Sequence, residues 1–155
     1  MSRGLRNFPE LEALFECTQL ATGLGRVREE AIVKHGDHDF PILSLEFGST
    51  APDAATLIFV GGIHGLEKVG TEVVISYLKS FIRLLKWDES TQSIMDRCRI
   101  VFYPIANPVG MFRNTRSNGH GVDIMRNSDI DANDVKYPLI GGHRISPIIP
   151  WYRGQ

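Results

Sequence analysis

Residues 56–67 read Thr-Leu-Ile-Phe-Val-Gly-Gly-Ile-His-Gly-Leu-Glu. The first five form an apolar run typical of a buried β-strand, and the two glycines that follow allow the backbone to turn. His64 and Glu67 lie three residues apart, where this loop gives way to a helical pattern. Imidazole and carboxylate groups are both suitable zinc ligands, and this spacing can bring them to one ion. The stretch therefore predicts a strand that delivers two metal ligands, His64 and Glu67.

A His-x-x-Glu pattern is weak when taken alone. It occurs by chance about once in a few hundred positions, so an incidental His and Glu in a polar loop is the alternative interpretation. The strand before the motif and the helix after it favour the metal site.

The remaining hydrophobic pattern predicts an α/β scaffold. Helices are predicted at residues 8–24 and 73–86, where apolar residues recur at three- and four-residue steps. Strands are predicted at residues 30–35, 41–47, 56–60 and 99–105, the first two as a hairpin. The strands at 56–60 and 99–105 are of the type that is buried on both faces.

Two such strands separated by a helix form a βαβ unit with parallel strands. Sheets of this kind place their functional sites at the carboxyl ends of the strands. His64 and Asn107 both lie at such ends. The pattern therefore predicts that the residues after these two strands share one site.

A second group of polar residues follows the strand at 99–105. It begins with Asn107-Pro108-Val109-Gly110 and continues at residues 115–127 with Thr-Arg-Ser-Asn-Gly-His-Gly-Val-Asp-Ile-Met-Arg-Asn. Together with His64-x-x-Glu67, these ordered motifs resemble the zinc carboxypeptidase family, especially its short bacterial members that trim murein-type peptides. The resemblance covers about residues 56–128, and residues 151–154, Trp-Tyr-Arg-Gly, also resemble a family segment. It implies an α/β fold with three layers, a mixed sheet with flanking helices.

The resemblance also implies roles for individual residues. His64 and Glu67 would be the first two ligands of one zinc ion. Arg126, with Asn127, would bind the terminal carboxylate of the substrate, because the planar fork of a guanidinium matches a carboxylate bidentately. Arg116 would polarise the scissile carbonyl and stabilise the oxyanion that develops on it. Arg113 is a competing candidate for a place in the cleft.

The chain departs from the family pattern at Met125, where the family usually has Asn. A thioether cannot donate the hydrogen bonds that an amide gives a carboxylate. The third zinc ligand and the general base of the family lie farther along a longer domain, and His120 and His143 are weak candidates for that ligand. Residues 1–155 are therefore expected to form a single, partial catalytic domain that is apparently truncated.

The implied function is that of a zinc-dependent metallocarboxypeptidase, which hydrolyses a peptide or amide bond by metal-activated water. One alternative is an acyl amide hydrolase similar to aspartoacylase and succinylglutamate desuccinylase, for which Met125 leaves room. Thr115-Arg116 together with Gly121-Val122-Asp123 favours the peptidase. A second alternative is a truncated, non-catalytic remnant that lacks the third ligand and the base.

Composition limits the partners. Seventeen basic and eighteen acidic residues give a formal charge of −1, so there is no general electrostatic case for nucleic acid or an anionic membrane. No run approaches the roughly 20 apolar residues of a membrane span, and the amino terminus lacks an apolar signal stretch. A cytoplasmic protein is expected. Its expected partners are a peptide or small amide with a free carboxylate, and either another copy of the chain or a missing carboxyl-terminal half.

Overall fold

The computed structural model describes residues 8–127. Its elements in chain order are α1 (Pro9–Leu20), β1 (Arg26–His35), β2 (His38–Gly48), β3 (Ala55–Val60), α2 (Lys68–Leu85), α3 (Glu89–Met95), β4 (Cys98–Tyr103) and α4 (Pro108–Phe112). A short 3₁₀ turn follows at Ile124–Arg126. The strands form one four-stranded sheet in the order β1-β2-β4-β3. The predicted α/β class, with a mixed sheet and flanking helices, is confirmed.

The sheet combines antiparallel and parallel pairs. β1 and β2 form the predicted hairpin, with His35 opposite His38, and β2 pairs antiparallel with β4. β3 pairs parallel with β4, from Ala55 opposite Cys98 to Val60 opposite Tyr103. The predicted βαβ unit is therefore confirmed, and the carboxyl ends of β3 and β4 lie side by side.

The core lies between α2 and the sheet. The buried residues of α2 recur at helical spacing, so that one stripe of the helix faces the strands. The Phe81 ring of this stripe packs edge-on against Phe47 of β2 at 5.3 Å and contacts Phe102 of β4 at 5.8 Å. Leu11 and Leu14 of α1 are buried in the same core. Burial of these large side chains fixes α2, and with it the loop that precedes it.

The prediction that β3 is buried on both faces is wrong for the described residues. Leu57, Ile58 and Val60 are 52%, 55% and 48% exposed. The physical reason is position, since β3 is at an edge of the sheet and pairs only with β4 within residues 8–127. Phe59 alone is partly buried there, packed against Tyr77 and Phe102. An apolar run indicates a strand but does not say whether the strand lies at an edge or in the centre of its sheet.

Other differences concern boundaries and short elements. The first helix ends at Leu20 rather than at residue 24, and α2 begins at Lys68 rather than at residue 73. The sequence did not predict the short helices α3 and α4. His143 and the segment at 151–154 lie outside the described residues. Within residues 8–127, none of the helices has the length and apolar character needed to cross a membrane.

Candidate functional site

The loop that carries His64 follows β3, and its backbone continues the hydrogen bonding between β3 and β4. Beyond β3, the amide of Gly61 donates to the Tyr103 carbonyl at 2.8 Å, and the amide of Asn107 donates to the Gly62 carbonyl at 2.9 Å. Gly62 has φ +64°, and a Cβ at this position would lie 2.6 Å from Oγ1 of Thr71. Only glycine combines this conformation with so close an approach. The backbone bonds therefore place the His64 loop beside the residues that follow β4.

Asn107 joins three segments of the site. Its Oδ1 accepts from the amide of Gly110 at 2.9 Å and so caps α4. Its Nδ2 donates to the carbonyl of Ile63 at 3.1 Å and to the carbonyl of Ser117 at 3.2 Å. The buried side-chain amide of Asn107 thus connects the His64 loop to α4 and to the segment that contains Arg116 through hydrogen bonds.

His64 and Glu67, the two predicted metal ligands, lie close together. Nδ1 of His64 lies 3.1 Å from Oε2 of Glu67, and the imidazole is buried. On its other side, Nε2 of His64 lies 3.2 Å from Oδ1 of Asp123, which is fully buried. Because a carboxylate accepts hydrogen bonds, Asp123 favours the tautomer with hydrogen on Nε2, which leaves the lone pair of Nδ1 on the side of Glu67.

Arg116 contacts both carboxylates. Its Nη1 donates to Oε1 of Glu67 at 2.9 Å, and its Nε donates to Oδ2 of Asp123 at 2.8 Å. These two hydrogen bonds close a ring of four side chains, His64, Glu67, Arg116 and Asp123, which we name the ligand ring. Arg126 lies next to it, with Nε 3.4 Å from Oδ2 of Asp123.

The geometry of His64 and Glu67, which we name the ligand pair, fits a zinc ion. Zinc bonds of about 2.0–2.1 Å at a tetrahedral angle place two ligand atoms about 3.3 Å apart. The 3.1 Å between Nδ1 of His64 and Oε2 of Glu67 is close to that separation. However, no group of three or more His, Cys, Asp or Glu side chains that could hold a metal ion occurs within residues 8–127. Within the described part of the chain, His64 and Glu67 are therefore a pair of candidate ligands and not a complete metal site.

The other predicted site residues divide into two groups. Arg116 is in the ligand ring and Arg126 is beside it, whereas Arg113 is exposed at the end of α4 and is not in the ring. Asn127 is exposed after the 3₁₀ turn. His120 is also exposed, and it borders a cavity that contains none of the ring residues.

A cavity of about 320 Å³ opens beside the ligand pair. It is lined by the glycine-rich loop, by His64 and Glu67, and by the apolar side chains of Val60, Val69 and Met125. Met125 is 59% exposed, so its thioether is accessible to a molecule in this cavity. A larger cavity of about 570 Å³ lies elsewhere, beside Arg26 and Gln92, and contains none of the predicted site residues.

The sequence does not predict the contacts that Asp123 and Asn107 make in the site. It places Asp123 within a motif and Asn107 after a strand. Asp123 is 59 positions away from His64, so no local spacing connects them. The sequence contains one indication of its role: Asp123 lies between Arg116 and Arg126, and an acidic residue between two arginines is suited to an ion-pair network.

Comparisons with known proteins identify the family of the chain. Residues 35–153 match the zinc carboxypeptidase family of peptidases. Mouse carboxypeptidase D is 30% identical in an alignment of 105 positions that covers 59% of this chain and 8% of that protein. Human carboxypeptidase D is 34% identical in an alignment of 76 positions that covers 46% of this chain and 6% of that protein. The chain therefore spans less than a tenth of the length of these relatives.

Solved structures show the same fold. The metallo-carboxypeptidase from Burkholderia cenocepacia aligns with a TM-score of 0.61 and 21% identity, over 78% of this chain and 32% of that one. The metallo-carboxypeptidase from Pseudomonas aeruginosa aligns with a TM-score of 0.53 and 20% identity, over 74% of this chain and 30% of that one. Because the family match covers most of the sequence, this chain belongs to the zinc carboxypeptidase family.

Proposed function

We propose that this chain provides part of the active site of a zinc-dependent metallocarboxypeptidase that hydrolyses a peptide or amide bond. The observation that carries the proposal is the 3.1 Å approach of His64 Nδ1 to Glu67 Oε2 at the carboxyl end of β3. Family membership supports it, since the family is that of zinc carboxypeptidases. The third ligand and the general base would come from residues outside 8–127.

The described residues have distinct parts in this chemistry. His64 and Glu67 would hold one zinc ion, which supplies a Lewis acid and lowers the pKa of a bound water. Asp123 fixes the His64 tautomer. Arg116 holds a guanidinium next to the ligand pair, where it would donate to the carbonyl oxygen of the substrate and stabilise its developing negative charge.

The substrate is proposed to be a peptide or small amide with a free carboxylate. Arg126, close to Asp123, would bind this carboxylate, and Asn127 or Arg113 would assist it. Met125 favours a second candidate function, acyl amide hydrolysis of the aspartoacylase type, because it supplies no amide donor for a terminal carboxylate. A cytoplasmic location and a partner copy or carboxyl-terminal half are also proposals, based on the sequence alone.

Zinc binding tests the proposal directly. Calorimetric titration of the purified chain with Zn²⁺ should give one site, and His64→Ala and Glu67→Ala should each abolish it. His120→Ala is the matched control, because His120 is exposed and lies apart from the ligand pair. Zinc binding that is equal in the wild type and in His64→Ala would contradict the proposed site.

Hydrolysis distinguishes the two enzymatic functions from a non-catalytic remnant. The zinc-loaded chain would be assayed with a blocked dipeptide that ends in a free carboxylate and with an N-acyl amino acid. Cleavage of the dipeptide supports the carboxypeptidase, and cleavage of the N-acyl amino acid alone supports the acyl amide hydrolase. Zinc binding without cleavage of either supports the remnant.

A further inference from the structure

We propose that Arg116 is a positioning residue for the metal site, which orients both zinc ligands by bridging Glu67 and Asp123. This inference rests on the proposed function and goes beyond it, because it gives Arg116 a role that precedes any contact with substrate. The consequence is that Arg116 sets the affinity of the chain for zinc. The proposal depends on which side chain each carboxylate oxygen of Glu67 and Asp123 contacts.

Arg116 first restricts Glu67. The Glu67 side chain is 50% exposed, so without a partner it would sample several rotamers in water. Nη1 of Arg116 binds Oε1 at 2.9 Å, which leaves Oε2 as the oxygen that faces Nδ1 of His64. The ion pair therefore holds one oxygen of Glu67 in the position of a ligand.

Arg116 also restricts His64, through Asp123. Nε of Arg116 binds Oδ2 of Asp123 at 2.8 Å, and the second oxygen, Oδ1, lies 3.2 Å from Nε2 of His64. Each carboxylate thus uses one oxygen for Arg116 and the other for His64. Because one rigid guanidinium spans both carboxylates, it fixes their separation and so the direction of both ligand atoms.

Repulsion between Arg116 and a dication opposes this effect. The ring contains two carboxylates and one guanidinium, so its formal charge is still negative when His64 is neutral. The guanidinium is partly exposed, and water and salt weaken its repulsion of the metal. Loss of a group that orients metal ligands typically lowers metal affinity about 10–100-fold. We therefore expect the orienting effect to be larger than the repulsion.

The test compares zinc affinities of Arg116→Gln, Arg116→Lys and the wild-type chain by calorimetry. Both variants should bind Zn²⁺ about 10-fold more weakly or worse, because neither side chain can span two carboxylates as a guanidinium does. Arg83→Gln, at an exposed position in the last turn of α2, is the matched control for loss of an arginine charge and should leave the affinity unchanged. Circular dichroism of the metal-free variants shows whether the fold is retained.

The visible spectrum of bound Co²⁺ gives a second readout, since it reports ligand geometry rather than stability. It should differ from that of the wild type in Arg116→Lys and not in Arg83→Gln. Zinc binding by Arg116→Gln that equals or exceeds the wild-type affinity would overturn the inference and leave the proposed function intact. A wild-type chain that binds no zinc would overturn both.

Discussion

The carboxylate of Asp123 lies against the side of the His64 ring that faces away from Glu67, with Oδ1 3.2 Å from Nε2. The two residues are distant in sequence, yet both are buried in the described structure. This contact selects which imidazole nitrogen carries hydrogen, and therefore which one can bind a metal.

Replacement of Asp123 by Asn should weaken zinc binding. The amide can accept from Nε2 through its oxygen, but it lacks the negative charge that raises the basicity of the imidazole. We expect an affinity about 10–100-fold lower, measured by zinc titration. Asp96→Asn, at an exposed position after α3, is the control and should bind zinc like the wild type. An unchanged affinity in Asp123→Asn would argue against the assigned tautomer.

Asn107→Asp should destabilise the chain although helix capping is retained. The carboxylate can still accept from the Gly110 amide, but it can no longer donate to the carbonyls of Ile63 and Ser117. Placing a buried charge next to two carbonyl oxygens should lower the free energy of unfolding by about 3 kcal/mol. Urea unfolding measures this loss, and Asn114→Asp, the same change at an exposed residue, should have little effect.

Two glycines near the ligand pair should respond oppositely to alanine. A Cβ on Gly65 would overlap the backbone of Gly110, and backbone cannot move aside as a side chain can. Gly65→Ala should therefore cost about 2–4 kcal/mol of stability. Gly70 lies in the first turn of α2 with nothing within 4 Å of its Cβ position. Gly70→Ala should stabilise by about 0.5–1 kcal/mol, and equal unfolding midpoints for the two variants would contradict the packing described.

The features that the sequence predicted are those with a local signal. The hairpin, α2 and the parallel pairing of β3 with β4 follow from periodicity over a few residues and from the length of the connection. The approach of His64 to Glu67 is also local, because the two residues are three positions apart.

The features that the sequence did not predict depend on distant partners. The edge position of β3 among the strands of residues 8–127 depends on which strands pair, and apolar composition carries no information about that pairing. The role of Asp123 requires the loop after α4 to fold back on the His64 loop, and Asn107 provides part of that connection. Arg113 and Arg116 could not be separated from sequence, because both lie near the same turn and only the fold directs one of them to Glu67.

Met125→Asn should increase the affinity for a free carboxylate. The side chain at this position borders the cavity beside His64 and Glu67, where an amide could donate to a bound anion. One hydrogen bond to a charged group corresponds to about 10-fold in affinity. Titration of the zinc-loaded chain with a blocked dipeptide and with its carboxyl-terminal amide measures the change, which should appear for the free carboxylate alone. Ile124→Asn is the control, since Ile124 borders a different cavity, and an equal gain in that variant would refute a specific role of position 125.

Glu46 should make the stability of the chain depend on pH in acid. It is buried beside three arginines, and its Oε1 accepts from Nη2 of Arg26 at 2.9 Å. That hydrogen bond, helped by the charges of Arg26, Arg28 and Arg99, holds the pKa of Glu46 below its ordinary value. A carboxyl group whose pKa is lowered by folding stabilises the fold above its unfolded pKa of about 4.3, and this contribution is lost as the pH falls through the folded pKa.

Glu46→Gln should therefore lower the free energy of unfolding at pH 7 by about 2 kcal/mol, because it removes an ion pair with a hydrogen-bonded charge. The difference from the wild type should shrink below about pH 4, since protonated Glu46 and Gln are both neutral and of similar shape. Urea unfolding across pH 3–7 measures both effects, and Glu29→Gln, at an exposed position in β1, should match the wild type at every pH. A difference between Glu46→Gln and the wild type that is constant over this range would show that Glu46 contributes by packing, because only a contribution from its charge disappears when the carboxyl group is protonated.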